Sequence, residues 1–295
     1  MNSHFSPYAK GLLITALGVL IISPDGLLTR LIAADAWTFA FWRGLLSGLT
    51  ICGAVFAFHG RQGVGHLRAL GKPGLLVALT FGLGSITFVY SFTHTTVANA
   101  LFLFNTSPVF AALIGWYVLQ DEVPVRTRVT IGAVLVGIAI ITLNEGMKAG
   151  DLLGNLGALT TALMSAIGLT LARHFRHIDM VPAVGVGGFI TALITLPLAA
   201  PLTIAPDRWP HLLLLGLFVL PVSFGLFYIG PRYAPAAEIS LMLLLEAILG
   251  PLLVWWALGE HPGIYTLIGG VIIIAALAFN AAMALRLSKR KEYRR

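Results

Sequence analysis

The sequence predicts an all-α integral membrane protein of ten transmembrane helices, built as two five-helix repeats of inverted topology. Three observations carry that expectation. Hydrophobic residues fill 58% of the 295 positions, charged residues only 11%, and the mean hydropathy is +0.90. Soluble domains carry about 25% charged residues. The 48 positions between Lys72 and Asp121 contain no Asp, Glu, Lys or Arg. Two membrane spans of roughly 20 residues each require such a run, and a globular core does not. Finally, the stretch from Asn99 to Pro124 recurs from Glu238 to Pro262. Both copies close on an acidic residue, a spacer and a proline, Glu122-Val123-Pro124 and Glu260-His261-Pro262, 138 positions apart. A period near half the chain length marks an internal repeat. A β-barrel is excluded because it would show short alternating segments instead of unbroken apolar ones.

Ten apolar segments follow one another near 9–31, 35–58, 73–92, 96–119, 127–144, 152–173, 180–200, 210–230, 235–258 and 263–286. They divide into a first repeat over 9–144, a second over 152–286 and a basic tail over 287–295. Gly44 and Gly48 form a small-xxx-small pair, a signal for close helix contact. Fifteen Lys and Arg fall on one face of the membrane, in the loops holding Lys10, Arg61, Arg126, Arg173 and Arg232 and in the tail. Three, Arg30, Lys148 and Arg208, fall on the other, and Arg43 lies inside a span. The positive-inside rule therefore places both termini in the cytoplasm, as an even number of spans also requires.

With five spans per half, the second half enters the membrane from the opposite side, so the halves relate by a pseudo-two-fold axis in the membrane plane. The first helices of the halves agree at an offset of 146. Gly11-Leu12-Leu13-Ile14-Thr15-Ala16-Leu17 resembles Gly157-Ala158-Leu159-Thr160-Thr161-Ala162-Leu163, and Arg30 falls on Arg176. The loop from His59 to Pro73 accommodates the residues by which the two offsets differ.

The net charge of +7 is topogenic, lying in short loops and the tail, so no nucleic-acid partner is expected. Cys52 is alone in an apolar run, which leaves no disulfide framework and no cysteine-based metal site. The N-terminal apolar run shows no signal-cleavage motif. There is no phosphate-cradling glycine loop with Lys, no His-Glu-x-x-His and no Gly-x-Ser-x-Gly, so neither an enzyme nor a cofactor is expected. No loop is long enough for a nucleotide-binding domain, which leaves secondary or facilitated transport. A membrane-embedded enzyme and a structural subunit packing with lipid-soluble partners are the rival classes.

Polar side chains inside membrane helices are costly and therefore informative. Glu246, near the middle of the ninth segment, is either a proton-titratable or substrate-binding carboxylate facing a cavity, or a neutral carboxyl serving packing. Protons are the coupling ion it would carry. Asp25 follows Pro24 and marks a wetted helix break, and Arg43 either snorkels outward or pairs with Asp25 or Asp35. Thr87, Tyr90, Ser91 and His94 recur on one helical face and line either water or a neighbouring helix. In the fourth segment Pro108 frees a backbone carbonyl near Phe104. The polar groups around it, Asn99, Asn105, Thr106 and Ser107, answer that carbonyl or bind substrate. Ser165, Ser223, Tyr228 and Ser240 complete the candidate lining. The substrate-binding candidates are thus Tyr90, His94, Asn99, Asn105, Ser165, Tyr228, Ser240 and Glu246. Asp25, Arg43, Pro108, Glu122 and Glu260 are expected to be structural. Trp37, Trp42, Trp209, Trp255 and Trp256 read as interfacial anchors.

Two strings match a known pattern. Pro108-Val109-Phe110-Ala111-Ala112-Leu113 leads to Leu119-Gln120-Asp121-Glu122, and Leu245-Glu246-Ala247 leads to Leu258-Gly259-Glu260. With Phe41-Trp42-Arg43, they resemble the drug/metabolite transporter superfamily, specifically its ten-helix permeases of two EamA-type repeats, over about 10–285. The resemblance implies export of small metabolites, often amino acids, from the bacterial cytoplasm across the inner membrane. Alternating access through a central cavity between the repeats would carry the transport. In overall pattern the chain also resembles the YddG-type exporters of aromatic and other amino acids. The chain departs from the family pattern at Glu246-Ala247, where Glu-Pro is common. That departure moves the expected helix break from Ala247 to Pro251.

Overall fold

The computed structural model describes residues 7–94, 100, 103–144, 152–259 and 264–292. Among these residues every regular element is helical and no strand occurs. Six stretches are long and apolar enough to cross a membrane: Pro7–Ile32, Ala36–Ala69, Gly71–Ser91, Leu152–His174, Pro206–Arg232 and Ala236–Ala257. The shorter apolar helices Ser107–Leu119, Val181–Thr195 and Leu267–Asn280 lie between or after them.

The first span is α1 (Pro7–Ile22) followed by α2 (Asp25–Ile32). Pro24 has no N–H to continue the ladder, and the chain turns at Ser23-Pro24 before α2 begins. The second span is α3 (Ala36–His59), started by the Asp35 carboxylate, whose Oδ1 accepts from the Trp37 and Thr38 N–H groups. A short α4 (Gly63–Ala69) precedes the third span, α5 (Gly71–His94). The fourth span ends in α6 (Ser107–Leu119), and the fifth is α7 (Val125–Asn144).

In the second half, α8 (Leu152–His174) and α9 (Val181–Thr195) form the sixth and seventh spans. The eighth joins α10 (Trp209–Leu214), a π-helical stretch (Leu215–Val219) and α11 (Leu220–Ile229). Pro221 explains the π stretch, because its ring would meet the Leu217 carbonyl one turn earlier in a regular helix. The ninth span divides into α12 (Ala236–Leu243) and α13 (Glu246–Leu258), and the tenth is α14 (Ile264–Glu292). The basic residues from Arg286 to Lys291 therefore continue a helix.

The main packing pairs between spans recur under exchange of the halves. The third span packs on the sixth and the seventh, and the eighth packs on the first and the second. The fourth packs on the sixth as the ninth packs on the first. The second with the seventh, the fourth with the ninth and the fifth with the tenth are pairs that the exchange returns to themselves. A two-fold relation between the repeats accounts for those pairs.

Lipid tails are as apolar as leucine, so close contact rather than hydrophobic burial holds such helices together. The second and seventh spans use glycine for it. A Cβ on Gly44 would lie 2.6 Å from the Gly188 carbonyl oxygen, and one on Gly188 would lie 2.6 Å from that of Gly44. A Cβ on Gly48 would lie 2.9 Å from the Gly185 carbonyl oxygen, so position numbers rise along one helix as they fall along the other: the pair is antiparallel. Larger side chains fill the bundle elsewhere. Val19, Ile32, Val77, Met180, Leu212 and Leu220 share one buried cluster, and Val134, Ile138, Leu241, Ile248 and Ile273 share another.

Candidate functional site

The fourth and ninth spans break at equivalent places. The fourth turns at Asn105-Thr106 before α6 starts at Ser107, and the ninth turns at Leu244-Leu245 before α13 starts at Glu246. The two restart positions are 139 residues apart. Both new segments run 13 residues and end on a residue in the left-handed conformation, Gln120 (φ 54°) and Gly259 (φ 72°). The first break has Pro108 in its first turn. The second needs no proline: Leu244 and Leu245 donate three residues back, to the carbonyls of Leu241 and Met242, both at 3.2 Å. The break expected at Pro251 is absent, since α13 continues through that position.

The two interrupted spans cross, and Ser107 Oγ lies 2.6 Å from Ser240 Oγ with both side chains buried. Ser107 therefore does not answer the carbonyl freed near Pro108. Thr106 makes the local bond instead, donating to Leu103 O at 2.6 Å. Asn105 is buried in the turn.

The break in the first span lies beside α13. Helix α2 packs on α13, and a Cβ on Gly250 would be 4.0 Å from the Ser23 carbonyl oxygen. Arg43 reaches this junction from α3 and donates through Nη1 to both Asp25 oxygens, at 2.7 and 3.0 Å. Its guanidinium also sits over the Phe39 ring, 5.0 Å from the centroid. Glu246 is half-buried at the start of α13.

A second polar cluster lies at the end of the bundle that carries the basic loops. Glu238, in the first turn of α12, is 3% exposed and accepts from Arg126 Nη2 at 2.8 Å. Tyr8 donates its hydroxyl to the other carboxylate oxygen, and Thr127 Oγ1 lies 3.4 Å from the first. Arg126 also donates to the Asn280 carbonyl oxygen at 3.1 Å. The first, fifth, ninth and tenth spans are thereby tied through one carboxylate. A cavity of about 20 Å³, room for roughly one water, adjoins it and is lined in part by Asp121, Glu122, Thr127 and Glu238.

The remaining candidates do not converge on one point. Thr87 Oγ1 meets Thr161 Oγ1 at 2.8 Å, and a Cβ on Gly157 would press on the Thr87 carbonyl and Ser91. That part of the polar face on α5 serves contact with α8. Tyr90 stacks on His94 with centroids 4.0 Å apart, and His94 is exposed. Tyr228 is buried among α5, α8 and α11, its hydroxyl against Gly168 and Thr80. Ser165 is half-buried on α8, and Ser223 is fully buried. Glu122 is exposed in the turn after α6. Asn99 and Glu260 lie outside the described residues.

Sequence reading missed Glu238 and its partners. In the sequence Glu238 stands at the border of a repeat, and Arg126 is one loop charge among fifteen. The available signal was a carboxylate within an apolar run, the argument already applied to Glu246. Arg208, by sequence one more loop charge, caps α2 through the Ile32 and Ala33 carbonyls, both at 3.1 Å. Among the described residues no three His, Cys, Asp or Glu side chains gather as a metal-binding group.

The EamA-like transporter family profile matches this chain twice, over residues 9–143 and 152–282. The chain belongs to the EamA-like transporter family, and it is a multi-pass membrane transporter. An uncharacterized transporter of Archaeoglobus fulgidus is 24% identical over 266 residues, covering 84% of this chain and 88% of that protein. An S-adenosylmethionine uptake transporter of Rickettsia felis is 23% identical over 288 residues, covering 95% of each. One solved crystal structure superposes with a TM-score of 0.80 at 17% identity, over 94% of this chain and 98% of its own. That likeness is one of fold.

Proposed function

We propose that this protein is a secondary exporter of amino acids, aromatic ones included, in the bacterial inner membrane with both termini cytoplasmic. It works by alternating access between its two repeats. The observation that carries this is the pair of symmetric breaks in the fourth and ninth spans, which touch through Ser107 and Ser240. Interrupted helices at a repeat interface near the midplane are where transporters of inverted repeats hold their substrates. The cargo is small and soluble, and lipids are the protein's surroundings. Ser240 and Glu246 line the site in this reading, with Tyr90, His94, Asn99, Asn105, Ser165 and Tyr228 as the wider candidate set.

The Glu238 cluster acts as the cytoplasmic seal. It joins both halves at the basic face, so a pathway from that side opens only when Arg126 and Glu238 separate. Liposomes loaded with labelled phenylalanine or leucine test the export reading. Saturable efflux is expected, and its absence for every amino acid tried ends the proposal.

Uptake of S-adenosylmethionine is the second reading, favoured by two relatives of that name, from Rickettsia felis and Rickettsia prowazekii, each aligned over 95% of this chain. The same liposomes with labelled S-adenosylmethionine decide between them. Proton coupling at Glu246 predicts that Glu246→Gln abolishes accumulation driven by a pH gradient while sparing exchange.

A further inference from the structure

The elbow between the second and third spans is fixed to the bundle along one face. A single 3-10 turn, Gly60–Gln62, leads straight into α4. Gly63 is buried against Phe56, so closely that a Cβ there would lie 2.7 Å from the ring. Leu70 belongs to the main buried cluster, and Leu67 packs against it. His66 of α4 stacks on His59 of α3 with ring centroids 3.9 Å apart. Each ring donates through Nδ1 to the carbonyl four residues before it, Val55 O at 3.1 Å and Gln62 O at 3.2 Å.

The other face has no partner. Arg61, Arg68 and Lys72 are exposed, and among the described residues none of them makes an ion pair or a side-chain hydrogen bond. Arg126, Arg173, Arg208 and Arg232, by contrast, each bond a carboxylate or a carbonyl. No Asp or Glu occurs between Asp35 and Asp121, so this segment brings no counter-charge of its own. Apolar side chains accompany the cations: Phe58 is 85% exposed, and Val64 and Leu75 are exposed as well. Arg61, Val64, His66 and Arg68 line one open groove of about 560 Å³. A water takes roughly 30 Å³ of liquid, so the groove has room for more than an ion and its hydration. Topology explains why basic residues lie at this end of the bundle. It does not explain a docked helix that presents unpaired guanidinium groups beside bare apolar side chains.

We propose that this elbow binds an anionic phospholipid. Arg61 and Arg68, which share the groove, hold the phosphodiester, and Lys72 adds a third positive charge. The acyl chains lie along the exposed apolar side chains of Phe58 and Leu75, at the ends of the two spans. A headgroup with its own ammonium cancels much of the attraction, so a net anion is preferred. A free phosphate would gain the charge contact and forgo the apolar one, which is why the occupant is a lipid. The inference is independent of what the protein carries.

Native mass spectrometry of the full chain in detergent tests it with three probes: dioleoyl phosphatidylglycerol, dioleoyl phosphatidylcholine and inorganic phosphate. Phosphatidylglycerol adducts should exceed phosphatidylcholine adducts at least tenfold, and equimolar inorganic phosphate should displace none of them. The double variant Arg61→Gln with Arg68→Gln should cut phosphatidylglycerol occupancy at least fivefold. Arg128→Gln with Arg176→Gln removes the same charge from two other exposed arginines and should leave occupancy within twofold. Equal binding of the two lipids would overturn the inference, because the headgroup is then not recognised. Equal losses in the two double variants would overturn it too, since net charge alone would then be acting. Displacement by inorganic phosphate would make this a soluble-anion site and end the lipid assignment. If the Arg61 and Arg68 variant does not fold, the comparison of headgroups on the unaltered protein decides alone.

Discussion

At the scale of single residues, buried charge separates what is legible in a sequence from what is not. Glu246 stands out in its apolar run, and its position fixes attention on the ninth span. The Asp25–Arg43 pair lies more than 200 positions away, and the packing of α2 on α13 brings its helix against that span. Glu238 escapes notice because it sits at a repeat border, although it is among the best buried of the polar side chains. Removing it leaves Arg126 uncompensated, so Glu238→Ala should destabilise the protein by about 3–5 kcal/mol. Replacing Glu238 and Arg126 together by Leu and Met should recover most of that loss. Thermal unfolding in detergent of the single and double variants checks both.

Asp35 offers a second test. Partial burial pushes its carboxyl up, but hydrogen bonds from Thr38 and Trp37 outweigh that and hold it below the usual value. A carboxyl lowered by folding stabilises above its unfolded pKa of about 3.9 and loses that contribution as the pH falls through the folded value. The stability difference between the unaltered protein and Asp35→Asn should therefore be present at pH 7 and fade as the pH falls through the lowered folded value. A difference unchanged at low pH would remove charge from the explanation.

At the scale of elements, the apolar segments match the helices among the described residues because membrane spans are long and chemically uniform. The interior breaks are harder to foresee. Pro24, Pro108 and Pro221 announce three irregularities, whereas the break at Leu244-Leu245 has no residue that demands it. Its place follows from the repeat, which puts Glu246 where the first copy has Ser107. The matching helix ends differ in quality. Gly259 takes the left-handed conformation without strain, while Gln120 takes it at a cost of about 1–2 kcal/mol. Gln120→Gly should accordingly stabilise the protein by up to about 1 kcal/mol, read as a raised melting temperature. Gly188→Ala should do the reverse, by about 1–3 kcal/mol, because the added methyl meets the Gly44 carbonyl oxygen at 2.6 Å.

At the scale of the whole molecule, the inverted repeat was readable from offsets and charge counts alone, since topology follows from parity and loop charge. The distribution of work between the halves was not. The first span is broken and the sixth is continuous; the eighth carries a π stretch and the third does not. Nothing in the repeated strings distinguishes these pairs, because the differences arise from single prolines outside the best-matching segments. If the Glu238 cluster seals the cytoplasmic side, a cysteine at Gly115, on the small cavity beside it, should react with a membrane-impermeant thiol reagent only in variants lacking Arg126. Cys52 is buried and is the chain's one cysteine, so a Cys52→Ser background leaves a single reporting thiol. Equal labelling with and without Arg126 would rule out the seal.

The contact between Gly44 and Gly188 has a consequence for how such a chain tolerates change. Each glycine meets the other's carbonyl oxygen at the same distance, as a residue meeting its own image would. In an assembly of two identical five-helix chains, one altered codon at that position would insert two methyl groups into one crossing, doubling the penalty. Joining the halves into a single polypeptide lets each side of the crossing vary separately. The same holds for the aligned pair Ser107 and Glu246: a carboxylate on one strand of the pair, and none on the other, is available only to a protein whose two halves are written independently.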